Sequence, residues 1–178
     1  MSTGASLFER PVPPGYRDEL AELAAVEPAK PRARTGSVLL FQLGELRLAL
    51  PARVATAVAP VVHIARIPHR SGTVLLGVVA FRGEILPCCS LARLLDLPSI
   101  ESSAARTLIL EESPGRRWAA PIDAVLGVHP MPDESARCEG APGQLAAHWL
   151  RDSFRDKDGA FHLLDNEVLF RQIALATA

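Results

Sequence analysis

The chain has 178 residues, 48% of them hydrophobic and 22% charged, which supplies apolar surface for one substantial core or two small cores sharing a seam. Its 19 basic and 20 acidic side chains leave a net charge of −1, so no overall positive field favours nucleic acid or an anionic membrane. Three cysteines without a C-x-x-C spacing make neither a disulfide framework nor a zinc or redox motif, and no signal segment or bilayer-length apolar run appears, so a cytoplasmic protein is expected.

Residues 1–36 read as an N-terminal extension. Pro11, Pro13, Pro14 and Gly15 break the chain, and Tyr16 to Val26 then reads as a short helix with Leu20, Leu23 and Ala24 on one side. Pro28 to Gly36 is a polar linker that cannot continue it. A docked helix on a leash and a disordered tail both fit this composition.

The folded body is expected over 37–178. Val38 to Leu43, the turn Gly44-Glu45 and Leu46 to Leu50 read as a hairpin, ended by Pro51, which has no amide hydrogen to donate. Ala52 to Val58 fits a helical turn or, by its alternating Val54, Thr56 and Val58, another strand, and the strand is favoured. Val61 to Arg66 alternates weakly, and Pro68 to Gly72 is a loop. Gly77 to Phe81 and Ile85 to Cys89 read as strands joined at the charged turn Arg82-Gly83-Glu84. Ser90 then caps a short helix carrying Leu91, Leu94 and Leu95.

The pattern recurs. Val38 to Val58 can be laid on Thr107 to Val128, with Pro121 following Pro51 by 70 positions and Val125 and Val128 near the places of Val54 and Val58. Phe81-Arg82-Gly83 is matched with Phe154-Arg155-Asp156, 73 positions on, and Pro87 to Leu95 with His162 to Phe170, which sets Asp165 against Ser90 as a second helix cap. Copies of roughly 70 residues are small for independent cores, so the halves, about 37–105 and 106–170, should pack on one another and close their edges as barrels. Most of the chain is then β, with short helices and a last helix from Val168 to about Thr177.

Nothing in the sequence demands catalysis. Neighbouring strand residues Cys88 and Cys89 point to opposite faces, and their apolar flanks raise rather than activate a thiol. His63, His69, His129, His148 and His162 are scattered without metal-site spacing. Asp123 suits a turn and Asp165 a cap, and no nucleophile elbow, P-loop or dinucleotide fingerprint appears. Neither a catalytic residue, a cofactor nor a metal is expected. The competing reading is a small thiol-dependent β-barrel enzyme using Cys88 or Cys89. A barrel for single-stranded nucleic acid lacks a basic stripe and interleaved aromatics. Arg82, at a hairpin tip, either offers its planar guanidinium to a partner's carboxylate or helix end, or is a solvated turn residue.

The run Gly77-Val78-Val79-Ala80-Phe81-Arg82-Gly83-Glu84-Ile85-Leu86-Pro87 through Leu91, with Val38 to Val54, Ala120 to Val128 and Leu163-Leu164-Asp165, resembles the CheW-like adaptor domain of bacterial chemosensory systems, over Ser37 to about Phe170. The resemblance implies two intertwined SH3-like five-stranded barrels and a non-catalytic scaffold. That scaffold couples the signalling tip of a methyl-accepting chemotaxis receptor to the regulatory domain of a CheA-type histidine kinase, in arrays peripheral to the membrane without insertion into it. It also implies a receptor groove between barrels involving Val54, Thr56, Val58 and Val125, and signalling contacts at Gly77, Arg82 and Gly83. Three positions depart from the family pattern: Ala80 stands for the usual Asn, Ser90 for an acidic residue and Thr56 for a frequent Glu. Leu7 to Glu19 resembles a segment preceding the adaptor domain in some Wsp-type surface-sensing systems.

Overall fold

The computed structural model describes residues 36–68, 74–97, 105–140, 142, 143 and 145–177. The expected helix over Tyr16 to Val26, its linker and most of the loop after Pro68 lie outside the described residues. Ten strands follow: β1 (Ser37–Leu43), β2 (Leu46–Pro51), β3 (Ala55–Pro60), β4 (Leu75–Phe81), β5 (Glu84–Cys89), β6 (Arg106–Ser113), β7 (Arg116–Ile122), β8 (Ala124–Pro130), β9 (Leu150–Asp156) and β10 (Gly159–Leu164). Helix α1 (Leu91–Leu94) follows β5, and α2 (Asn166–Thr177) follows β10.

Apolar runs such as Val38 to Phe41 form strands without polar alternation because both faces are covered. In β1, Leu39, Phe41 and Leu43 point into a central cluster, while Val38 and Leu40 enter a separate one with Phe154, Phe161 and Leu163. In β6, Leu108 and Leu110 reach the same central cluster, while Ile109 packs with Val79, Leu86, Cys88 and Ala119. Each sheet thus has a private core on one face and shares the central core on the other. Both helices add to the shared core, through Leu91 and Leu94 of α1 and Leu169, Phe170 and Ile173 of α2.

The duplication is visible in the sheets, with an exchange of strands. One sheet has the order β8-β1-β2-β10-β9 and the other β3-β6-β7-β5-β4. Replacing each strand of the first sheet by its counterpart in the other copy reproduces the second order. The first two strands of each copy therefore pair with the last three of the other, through the parallel contacts β2 with β10 and β7 with β5. Neither sequence half, 37–105 or 106–170, closes a sheet by itself. The two SH3-like barrels are intertwined, and covalent order does not coincide with barrel membership.

Smaller features repeat with the exchange. Thr56 and Leu126, 70 positions apart, are the extra residues of bulges on β3 and β8. The bulges at Leu76 on β4 and Arg151 on β9 are 75 apart. Arg47 of β2 donates from both terminal nitrogens to Asp156 at 2.8 Å, holding that carboxyl well below the ordinary range, at about 2. Arg117, 70 positions later, pairs with Glu84 in the other barrel. The outer edge of β4 is covered by Ala65, bonded both ways to Val78 at 2.8 Å, and that of β9 by Cys138, which donates to Ser153 at 2.9 Å. Covering both edges removes two templates for unwanted strand pairing.

The structure corrects one expected match. The β9–β10 hairpin turns at Lys157-Asp158, since Asp156 pairs with Gly159 and Phe154 with Phe161. Arg82-Gly83 is therefore answered by Lys157-Asp158, 75 positions on, and not by Arg155-Asp156, while Phe154 answers Val79. A shift of two residues keeps every side chain on its own face, so alternation alone could not reject it.

The caps fall where the hydroxyl and carboxylate suggested. Ser90 accepts from the Arg93 amide at 3.3 Å, and Asp165 accepts from Glu167 and Val168 at 2.9 and 3.1 Å. Helix α1 stops after one turn because Asp96 adopts a left-handed φ of 54°, letting Leu97 donate to Ala92 at 2.8 Å and Asp96 to Arg93 at 3.3 Å.

One buried polar pair gives the fold a pH dependence. His162 and Ser153 lie opposite one another on β10 and β9, joined at 2.8 Å, and burial pushes the imidazole pKa below its ordinary 6.5. Above that pH the ring is neutral both folded and unfolded. As pH falls through 6.5 the unfolded chain gains a proton that the folded chain resists, so stability declines until the lowered folded pKa is reached. His162→Gln should remove this part of the decline in urea midpoints measured from pH 7 to roughly 5. Parallel titrations of parent and variant would assign the dependence to another group.

Candidate functional site

The seven positions singled out in the sequence fall in different settings. Arg82 and Gly83 form the two-residue turn between β4 and β5, with φ of 48° and 83°, a hairpin turn that needs positive φ at both centres. Glycine meets this need freely, and a Cβ on Gly83 would touch nothing within 4 Å. Arginine does not, so the turn holds Arg82 in a conformation disfavoured for its residue type. Its side chain is exposed, with the guanidinium carbon 5.2 Å from the centroid of the Phe81 ring. The Glu84–Arg117 ion pair anchors the base of the tip to β7, and Ile85 beside it is 75% exposed.

Gly77 lies inside β4 and is buried. A Cβ there would stand 2.2 Å from the Ala65 carbonyl oxygen, at a φ of 147°, so this glycine is needed where the covering segment meets the strand. Thr56 and Val58 sit exposed on β3, with the Thr56 hydroxyl donating to the Ile109 carbonyl at 3.3 Å. Val54, in the turn before β3, is buried in the central core, and Val125 on β8 packs half-buried against it. Four of the seven, Thr56, Val58, Arg82 and Gly83, are thus accessible to a partner.

Sequence reasoning missed Leu126 and Val128. Both are exposed on β8, at 38% and 62%, and the 70-residue repeat places them on Thr56 and Val58. The repeat itself carried the signal, since the third strand of each copy turns two side chains outward, Thr56 and Val58 on β3 and Leu126 and Val128 on β8.

The thiols are poorly placed for chemistry. Cys88 and Cys89 are both fully buried, Cys88 in the core of one sheet and Cys89 in the shared core. Desolvation pushes each pKa up to about 12, so neither is a thiolate at neutral pH. Among the described residues no three His, Cys, Asp or Glu side chains converge as metal ligands, and no helix is long and apolar enough to cross a membrane.

Two intertwined SH3-like barrels that expose side chains on their strands and a charged hairpin tip, and bury Cys88 and Cys89, define an interaction module of duplicated β architecture. The chain belongs to the CheW-like domain family, whose model matches residues 37–174. It is similar in structure to the scaffolding protein TtCheW of Thermoanaerobacter tengcongensis, with a TM-score of 0.61 and 22% identity over 73% of this chain and 88% of that one, a likeness of fold. No curated protein sequence matches it.

Proposed function

We propose that the chain is a non-catalytic scaffold of a bacterial chemosensory array, in the cytoplasm, coupling a chemoreceptor signalling tip to the regulatory domain of a CheA-type histidine kinase. The observation that carries this reading is the Arg82 tip. A residue kept exposed in a disfavoured backbone conformation, packed only along the neighbouring Phe81 ring, favours a contact outside the chain. Membership of the CheW-like family supports the same assignment. Val58 on β3, beside Thr56, and Leu126 and Val128 on β8 offer apolar surface to a receptor helix, and Val125 lies beside the latter pair. The burial and raised pKa of Cys88 and Cys89 weigh against the thiol-enzyme alternative.

Arg82→Ala separates a contact role from a structural one. Binding to a receptor-tip fragment or to the kinase regulatory domain from the same genome should weaken about tenfold, while the thermal midpoint moves by no more than about 2 °C. Absence of binding by the parent protein at high micromolar concentration would end the scaffold reading. A large fall in the midpoint would make Arg82 structural.

A further inference from the structure

The turn at the β4–β5 tip is anchored on both sides. Phe81 and Glu84 face one another as the last paired residues before Arg82-Gly83. Phe81 packs against the private core of Val79, Leu86, Cys88, Ile109 and Ala119, and Glu84 forms an ion pair with Arg117 of β7. The sheet register brings that pair together. Cys88 of β5 lies beside Ala119 of β7 in a parallel contact, and two residues back on each strand the side chains return to the same face. Arg117 therefore stands next to Leu86, one step along that face from Glu84, and its long side chain spans the remaining gap.

The pair leaves Arg82 alone at the tip. Among the described residues Arg82 touches no carboxylate, and its guanidinium meets only the Phe81 ring. Yet Glu84 is two residues away, at most about 7 Å along the backbone, which two long side chains can close. A carboxylate so near competes for a guanidinium unless another cation holds it. Arg117 is that cation.

The other barrel uses the same device for a different tip. Arg47, 70 positions before Arg117, holds Asp156, which faces Gly159 at the base of the β9–β10 hairpin. The cation keeps its place in both copies while the carboxylate changes strand, since Asp156 ends β9 and Glu84 begins β5. Lys157 shares its turn with Asp158, whereas Arg82 shares its turn with Gly83, so the β4–β5 tip presents a cation with no acid in the turn itself.

We infer that Arg117 is a positioning residue for the Arg82 contact: by holding Glu84 at the base of the hairpin, it keeps the Arg82 guanidinium free for a carboxylate or helix end of the partner. The inference rests on the reading of Arg82 as a contact residue. A strut that stiffened the hairpin would need both members of the pair, whereas a guard against competition needs Arg117 only while Glu84 is a carboxylate.

Arg117→Gln, Glu84→Gln and the double substitution, made in the full chain, separate these roles. In the free, isotope-labelled protein the Arg82 side-chain Nε–H signal should shift in Arg117→Gln and return to its parent position when Glu84→Gln is added. Binding to the receptor-tip fragment or the kinase regulatory domain, whichever Arg82→Ala weakens, should fall about threefold in Arg117→Gln, the size of a surface ion pair. It should stay at the parent level in Glu84→Gln and recover in the double variant. Thermal midpoints should remain within about 4 °C of the parent. An unmoved Arg82 signal in Arg117→Gln overturns the inference. So do equal losses of binding in the two single variants, which mark a strut, additive changes, which mark a general effect of net charge, and a midpoint lowered well beyond that range, which makes Arg117 structural. Arg82→Ala in the same series keeps the two readings apart: if it binds like the parent, the contact role of Arg82 is lost, while the side-chain signal still decides what Arg117 does.

Discussion

Cut in the connection between Leu97 and Ala105 and expressed as separate pieces, the two halves should each lack a cooperative unfolding transition, and mixing them should restore one. The reason lies in the pairing. The first half alone keeps only the hairpins β1–β2 and β4–β5, because β3 pairs with β6, β2 with β10 and β5 with β7. The second half keeps β6–β7 and β9–β10, with β8 deprived of β1. Isolated two-stranded hairpins are marginal in water. Each piece would also expose its side of the shared core, including Phe41, Leu48 and Leu50 in one and Leu108, Leu110 and Ile122 in the other. The expected loss is the whole folding free energy, usually about 5–15 kcal/mol for a domain. Circular dichroism and urea titration of the pieces, apart and mixed, would measure it. A monomeric half that unfolds cooperatively by itself would show that β1 and β2 can close on their own β3, β4 and β5, and the exchange would then be a consequence of linkage and not a requirement.

Gly77→Ala should lower stability by about 3 kcal/mol, combining the cost of overpacking with that of a side chain at positive φ. For a chain of this size that corresponds to a fall of about 6–12 °C in thermal midpoint. The collision is with backbone, the Ala65 carbonyl at 2.2 Å, and the bonds between Ala65 and Val78 fix that carbonyl in place. Gly83→Ala is the matched comparison. It also has positive φ but meets open space, so it should cost only about 1 kcal/mol. Equal effects at the two sites would mean that strain, and not the Ala65 contact, sets the penalty. A Gly77 variant disturbs the β4 edge, whereas an Arg82 variant leaves that edge in place.

Much of this was legible in the residues. Gly44-Glu45, Pro114-Gly115 and Arg82-Gly83 mark hairpin turns because each interrupts a run of strand-forming apolar residues. Ser90 and Asp165 announce helices because their side-chain oxygens can take an amide of the first turn, a local interaction that depends on few neighbours. The repeat was legible too, and with it, in principle, the exposed pair Leu126 and Val128. The alignment error at the β9–β10 hairpin shows the limit of such signals. Alternation has a period of two, and it is blind to a shift of two.

The candidate site was less legible for a related reason. Val54 and Val58 are the same residue type four positions apart in one alternating stretch, yet one is in the core and the other is 42% exposed. Which of them faces solvent depends on where α2 and the second half pack. Gly77 looks in sequence like any strand glycine, and only the position of Ala65 makes it indispensable.

The sequence by itself determined the turns, the helix caps, the apolar strands and their duplication, because these depend on side-chain chemistry within a few residues along the chain. Only the tertiary structure decided that the copies exchange strands. A β2 that pairs with its own β5 and one that pairs with β10 bury much the same residues by the same alternation, and the choice between them rests on long-range contacts that no local pattern encodes.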